Sequence, residues 1–192
     1  VHVLHVSSDP FGCNSQCSTA SVRQLGKRTE GARAGAGWFP VPAGRPPEPV
    51  KGRALLGVGD DEVTAYDLLH QAWSPGVLVI RTPAGLSVRE PVVVRTHHAT
   101  PGTVSFPHLV IEAGEGSDLT VVEHQTSAPG EGATVPRVEL RVGDAARLRF
   151  QVLQDLGRDH VQLARQRSSV GAQATLISGI AAFGGRYTRL RS

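Results

Sequence analysis

From Gly116 onward the chain alternates apolar and polar positions in short runs, each led by a glycine. Gly116-Ser117-Asp118-Leu119-Thr120-Val121, Gly143-Asp144-Ala145-Ala146-Arg147-Leu148 and Gly171-Ala172-Gln173-Ala174-Thr175-Leu176 share one pattern. Their glycines stand 27 and 28 residues apart. Gly85-Leu86-Ser87-Val88 is a looser earlier copy. Between these runs lie others of period 2, such as Val138, Leu140 and Val142, or Val161 and Leu163. Period-2 alternation is that of a strand with one buried face, and a repeat of this length built from short strands and turns fits one coil of a β-helix. Each coil stacks on the last, so inward residues form columns. Gly116, Gly143 and Gly171 are expected at equivalent corners, where positive φ costs glycine nothing, with Leu119, Ala146 and Ala174 in one inward column. A β-sandwich also uses short strands and regular turns, but the near-constant spacing favours the solenoid.

Upstream the pattern changes twice. Ala65, Leu68, Leu69, Ala72 and Trp73 recur at helical spacing, which predicts one amphipathic helix of about thirteen residues. Asp60 or Asp61 would cap its start, and Ser74-Pro75-Gly76 would stop it. Order is expected from Ala54–Val58, followed by short strands at Val77–Ile80 and Pro91–Val94 with a turn at Pro83-Ala84-Gly85. Residues 1–52 lack any sustained period. Ser, Gly, Ala, Pro and Arg dominate there, and Pro40, Pro42, Pro46, Pro47 and Pro49 interrupt regular structure. This stretch reads as a low-complexity, poorly ordered leader, with brief structure at most in Val1–Val6. The expected organisation is therefore a leader over 1–52, a helix and strand over 53–90, and an incomplete β-helix over 91–192.

Composition agrees with a strand-rich fold. Aromatic residues are 5% and methionine is absent, so Val, Leu, Ile and Ala must build the core. The net charge of +3 comes almost wholly from arginine, interspersed with acids, and no run of basic residues offers a stripe for nucleic acid. No apolar run approaches the ~20 residues that span a bilayer. The only cysteines, Cys13 and Cys17, do not require an oxidising compartment, so a soluble cytoplasmic protein is expected.

Four segments, taken in order, resemble the SufB/SufD family of iron–sulfur cluster assembly proteins. The first runs from Asp60-Asp61-Glu62 through Leu68-Leu69-His70-Gln71-Ala72-Trp73 and Ser74-Pro75-Gly76-Val77-Leu78-Val79 to Thr82-Pro83-Ala84-Gly85. The second is Glu90-Pro91-Val92-Val93-Val94. The third is Pro107-His108-Leu109-Val110-Ile111-Glu112-Ala113-Gly114-Glu115-Gly116-Ser117 with Val121-Val122-Glu123. The fourth is Val138-Glu139-Leu140-Arg141-Val142-Gly143-Asp144-Ala145-Ala146-Arg147-Leu148 with Val152-Leu153-Gln154. Their order and spacing carry the resemblance, which is to the N-terminal part of the family core. It is nearer SufD than SufB, because no cysteine lies in the solenoid. The resemblance implies a right-handed parallel β-helix in a cytosolic complex with SufB-like and SufC-like (ATPase) subunits. It further implies a scaffold that is not itself an enzyme, with the iron–sulfur cluster held only in the assembled complex and no cofactor bound by this chain alone. Family members continue beyond the length seen here, so no catalytic, cofactor or metal residue is carried over.

Other constellations are weaker. His2, His5, Cys13 and Cys17 could close a tetrahedral zinc site, though two free thiols in a leader is the simpler reading. His97, His98, His108, His124 and His160, with Glu112 and Glu123, raise an iron site, but histidines scattered over the solenoid surface are the simpler reading. Adjacent strand residues face opposite ways, so His97 and His98 cannot both point inward. Asp118, Asp144 and Asp155 would suit a β-helix carbohydrate-active enzyme if aligned on one strand face. Asp118 and Asp144, one to two places after corner glycines, instead suit turns. Gly130–Gly132 and Gly184–Gly185 lack the Lys-Ser/Thr ending of a P-loop. An unrelated β-solenoid interaction module is the remaining alternative. The last coil, around Leu176–Phe183, has no cap after it and is expected to be extended or paired.

Overall fold

A computed structural model describes residues 2–7, 19–21, 65–74 and 76–192. Among the described residues the fold is a parallel β-solenoid carrying one helix. Strands β1 (His2–Ser7), β2 (Thr19–Ser21) and β3 (Leu78–Thr82) precede the main stack, with α1 (Ala65–Trp73) between β2 and β3. There follow β4 (Val92–His98), β5 (Val104–Ser105), β6 (His108–Ala113), β7 (Asp118–Ser127), β8 (Gly132–Thr134) and β9 (Arg137–Val142). The last are β10 (Arg147–Asp155), β11 (His160–Val170), β12 (Thr175–Ala182) and β13 (Tyr187–Arg191).

Every strand pairing is parallel and joins one coil to the next. One sheet runs β1-β4-β7-β10-β12 and the other β2-β3-β6-β9-β11-β8-β5, with β13 added on β11. The second sheet is bent into two walls, and prolines make the bend. Pro107 separates β5 from β6, and Pro136 separates β8 from β9. Without an N–H, proline cannot continue the ladder, whereas its carbonyl still serves the coil above. Arg137 N donates to Pro107 O at 2.9 Å and Arg165 N to Pro136 O at 3.0 Å. One coil on, Ala164 stands where the prolines stood and supplies the donor, so β11 runs unbroken and pairs β8, β13 and β9 in turn.

The inward positions match the alternation. Leu119 pairs with Leu148 and Leu148 with Leu176; Val92, Val121 and Phe150 form a second column. Ile80, Ile111 and Leu140 face them from the opposite wall. Ile80, Ile111, Leu119, Val121, Leu148 and Phe150 are all fully buried. Each such side chain stabilises the fold by ~1.5–3 kcal/mol relative to exposure.

The corner column differs from the expected one by two residues. Gly143 and Gly171 are equivalent, but their neighbour in the coil below is Gly114, since Gly143 N donates to Ala113 O and Gly171 N to Val142 O. A Cβ on Gly143 would lie 2.9 Å from Glu115 N and 3.0 Å from Ala113 O, so the backbones pass too closely for a side chain. Gly116 belongs to the next column, with Gly85, Ala145 and Gln173, all at positive φ. Correspondingly, Ala146 and Ala174 share an inward column with Ser117, not with Leu119. The coil pitch is 29 residues between β7 and β10 and 28 between β10 and β12, as in Asp118↔Arg147 and Arg147↔Thr175.

β3 already pairs with β6, so the stack takes in Leu78–Thr82. Within the span read as a leader, β1 pairs with β4 and β2 with β3. The rest of that span lies outside the described residues, as do Ala54–Val58 and the capping positions Asp60 and Asp61.

The helix reverses its expected orientation. Its buried residues are Asp67 and His70, while Leu68, Leu69 and Trp73 are exposed. Polar contacts hold it to the bent sheet. Asp67 pairs with Arg165, and His70 Nε2 donates to Pro107 O at 3.1 Å. The helix ends as expected, Ser74 N donating to His70 O at 2.9 Å. At β12 and the segment after it, Ile177, Ile180 and Phe183 are exposed. No helix among the described residues is long and apolar enough to cross a membrane.

Candidate functional site

The solenoid interior is divided. Along β7 the inward residues run Leu119, Val121, Glu123, Gln125; along β10 they run Leu148, Phe150, Val152, Gln154. The same alternation therefore carries the chain from an apolar half of the lumen into a polar half. Glu123 sits in register between Val94 and Val152, so valines bracket its carboxyl in the stack. Thr96 donates to its Oε1 at 3.1 Å, and Oε2 has no hydrogen-bond partner among the described residues. Burial pushes the Glu123 carboxyl above its usual value, and hydrogen bonds from Gln125 and Thr96 offset only part of that.

Glutamines cross-link the polar half. Gln162 Nε2 on β11 donates to Gln125 Oε1 at 2.7 Å, and Gln154 Nε2 donates to Thr188 on β13 at 2.8 Å. Further along β4, His98 meets His160 edge-on with ring centroids 4.8 Å apart. Gly132 makes room for the pair: a Cβ there would lie 2.9 Å from the His160 ring and 3.1 Å from His98 Nε2. Thr103 donates its hydroxyl proton to Thr100 O at 2.6 Å, so its oxygen is the acceptor for His98 Nε2–H at 3.3 Å. That leaves His98 Nδ1 to accept from Ser105 at 3.0 Å, which assigns the neutral Nε2–H tautomer. Burial lowers both imidazoles, His160 to about 4. The interior site is thus polar yet free of fixed charge on its histidines at neutral pH. Among the described residues no group of three or more His, Cys, Asp or Glu is placed to hold a metal ion.

The other residues singled out in the sequence lie elsewhere. His97 is exposed and bonds Thr126, opposite in direction to buried His98, as strand geometry requires. His124 also points away from the lumen. His108 and Glu112 belong to an outer ionic lattice on β3, β6 and β9. There Glu112 takes Arg81 and Arg141, and Glu139 takes His108, Arg137 and Arg141. Burial alone would raise the Glu139 carboxyl, but His108 and the two guanidiniums hold it below its usual value. Asp144 accepts from Ala172 N at 2.8 Å and so serves its turn, whereas Asp118 opens β7 and pairs across strands with Arg149 on β10 at 2.8 Å. Asp155 is exposed at the end of β10. Cys13 and Cys17 lie outside the described residues, as do the side chains of His2 and His5. Gln125, Gln154 and Gln162 were missed, although continuing the period-2 phase beyond the last apolar residue of each run would have found them.

The stack coincides with a known domain. The family model described as "SUF system FeS cluster assembly, SufBD core domain" matches residues 94–192. Iron–sulfur cluster assembly SufBD family proteins of Mycobacterium bovis and Mycobacterium tuberculosis are each 29% identical over 137 residues, covering 70% of this chain. The match covers 32% of each relative, so this chain spans only a part of their length. No solved structure matches the chain. A parallel β-solenoid running from β4 to β13, matched from residue 94 to residue 192 by the core domain, identifies the chain as a member of the SufB/SufD family of the SUF iron–sulfur cluster assembly system.

Proposed function

We propose that this chain is part of a non-catalytic scaffold subunit in a SufBCD-type complex, working with SufB-like and SufC-like (ATPase) partners in the cytoplasm. The observation that carries the reading is the coincidence of the core-domain match with the uninterrupted parallel stack. A stack of this kind suits a scaffold. Each coil is fixed to its neighbours by main-chain hydrogen bonds and a shared apolar column, so distant surfaces keep a set separation. In this reading the iron–sulfur cluster is cargo assembled with the partner subunits, and the ATPase supplies the energy. The SufD-like assignment over a SufB-like one belongs to the same proposal.

The test is co-expression of the full-length subunit bearing this sequence with SufB-like and SufC-like chains of the same genome. Co-purification of all three is expected, with ATP hydrolysis and cluster reconstitution in the complex and neither in this chain alone. ATP hydrolysis by the isolated chain, or failure of the three to associate, would sink the proposal.

A further inference from the structure

Three arginines stand in one outward column at the bend of the second sheet. Arg137 on β9 pairs in register with Arg165 on β11, and Arg165 with Arg191 on β13. Adjacent parallel strands lie about 4.8 Å apart, and like charges directly opposite one another across strands are destabilising. Elsewhere on this face the protein avoids that arrangement. Arg81, Glu112 and Arg141 occupy successive coils in register, alternating in sign, with ion pairs at each step. The column at the bend has no such alternation.

The column forms a wall of a cavity of about 200 Å³ beneath α1. Among the described residues, Arg189 adds a fourth cation to its lining, against the single carboxylate of Asp67. Asp67 is committed to Arg165 and lies 4.0 Å from Arg137. Glu139 takes Arg137 Nε but is shared with Arg141 and His108. Arg137 Nη2 is buried with no hydrogen-bond partner among the described residues, on a side chain only 6% exposed. His70 also borders the cavity and is lowered to about 4 by burial, so it adds no charge at neutral pH. The remaining wall is apolar, from Val135, Pro136 and Leu163.

The geometry points to a binding site for a small oxyanion, a carboxylate or phosphoryl group carried on a compact apolar body. Its oxygens would accept from the Arg137 Nη2–H group that lacks a partner and from Arg191 and Arg189, relieving the stacked charge. Guanidinium forks match such planar or tetrahedral oxygens bidentately. The apolar part would lie against Val135 and Leu163. This site is separate from the lumen and does not depend on the scaffold reading.

The experiment follows backbone amide shifts of the whole 192-residue chain at low ionic strength. It is titrated with benzoate, with inorganic phosphate and, for general charge, with sodium chloride. Saturable shifts are expected at Arg165, Arg189, Arg191 and the first turn of α1. Benzoate binding the tighter assigns a carboxylate ligand; phosphate binding the tighter assigns a phosphoryl one. Arg191→Gln should weaken binding about tenfold or more, the loss of one charge-assisted hydrogen bond. Arg189→Gln, at an exposed position, should act in the same direction should Arg191→Gln perturb the fold. Arg149→Gln, on another face and paired with Asp118, should leave binding unchanged. Shifts that never saturate, equal response to chloride, or an Arg149→Gln effect matching that of Arg191→Gln would overturn the site.

Discussion

Ala145 holds, one coil on, the left-handed backbone conformation that Gly116 holds below it, with φ of 55° against 61°. Both turns make the same contact to the next coil: Gly116 N donates to Asp144 O and Ala145 N to Ala172 O, each at 2.8 Å. A residue with a Cβ is strained in this conformation by roughly 1–2 kcal/mol, and glycine is not. Ala145→Gly should therefore stabilise the chain by about 0.5–1 kcal/mol after its larger chain entropy is counted. Gly116→Ala should cost about 1 kcal/mol. A Cβ on Gly116 would meet nothing within 4 Å, so that cost is backbone strain alone. Urea unfolding midpoints of the two variants should move in opposite directions; movement the same way would contradict the shared corner.

Gly114→Ala tests the neighbouring column by a different mechanism. A Cβ there would lie 2.6 Å from Thr82 O and 2.7 Å from Ala84 N, both backbone atoms that cannot rotate away. The coils would have to separate, and a loss of about 2–4 kcal/mol is expected. A midpoint within error of the parent would show that the coils are not as closely stacked as described.

Glu123→Gln should raise stability at pH 8 by on the order of 1 kcal/mol, since it removes an acidic group whose ionisation burial between valines disfavours. Because the folded pKa is raised above the ordinary value of 4.5, the folded state holds a proton that the unfolded state has released. Stability from this group is thus highest at low pH and falls as pH rises from 4.5 through the folded value. The parent should show that decline in equilibrium unfolding, and the variant should lack it.

His160 works with the opposite sign. Its folded pKa of about 4 lies below the ordinary 6.5, so between these values the unfolded chain binds the extra proton. The stability it contributes is complete above pH 6.5 and is lost as pH falls toward 4. His70 shares the direction and the range. In His160→Asn, unfolding midpoints measured from pH 7 to 4 should fall less steeply than in the parent. Equal slopes would place the proton uptake elsewhere.

Asp67→Ala should release α1 from the sheet, because it strands Arg165 and Arg137 in a buried site without the carboxylate they face. Hydrogen exchange across Leu68–Trp73 should accelerate at least about tenfold, a change of about 1.4 kcal/mol in local opening. Leu69→Ala, on the exposed side, should change it little. If Leu69→Ala has the larger effect, the helix is docked by its apolar stripe after all.

The alternation of apolar and polar residues, with glycines near every coil length, determined by itself that this is a stacked parallel β-fold. Strand period 2 decides which side chains face in, and that is local information. The same phase placed Leu119, Val121, Leu148 and Phe150 in the core, and set His97 and His98 on opposite faces. Which residues share a column was not local, because it depends on the coil pitch. Gly116 and Gly143 look equivalent at a spacing of 27, yet the pitch there is 29 and the true partner is Gly114. The helix shows the same limit. Its spacing announced an apolar stripe, but the bent sheet beside it offers Arg137 and Arg165, and a charge that meets them selects Asp67 for the buried side. Likewise the pairing of His98 with His160, and the stacking of Arg137, Arg165 and Arg191, join residues 62 and 54 positions apart at their extremes. Only closure of successive coils sets such distances, since the register between coils follows from turn geometry and from packing of the whole apolar column, not from any one local run.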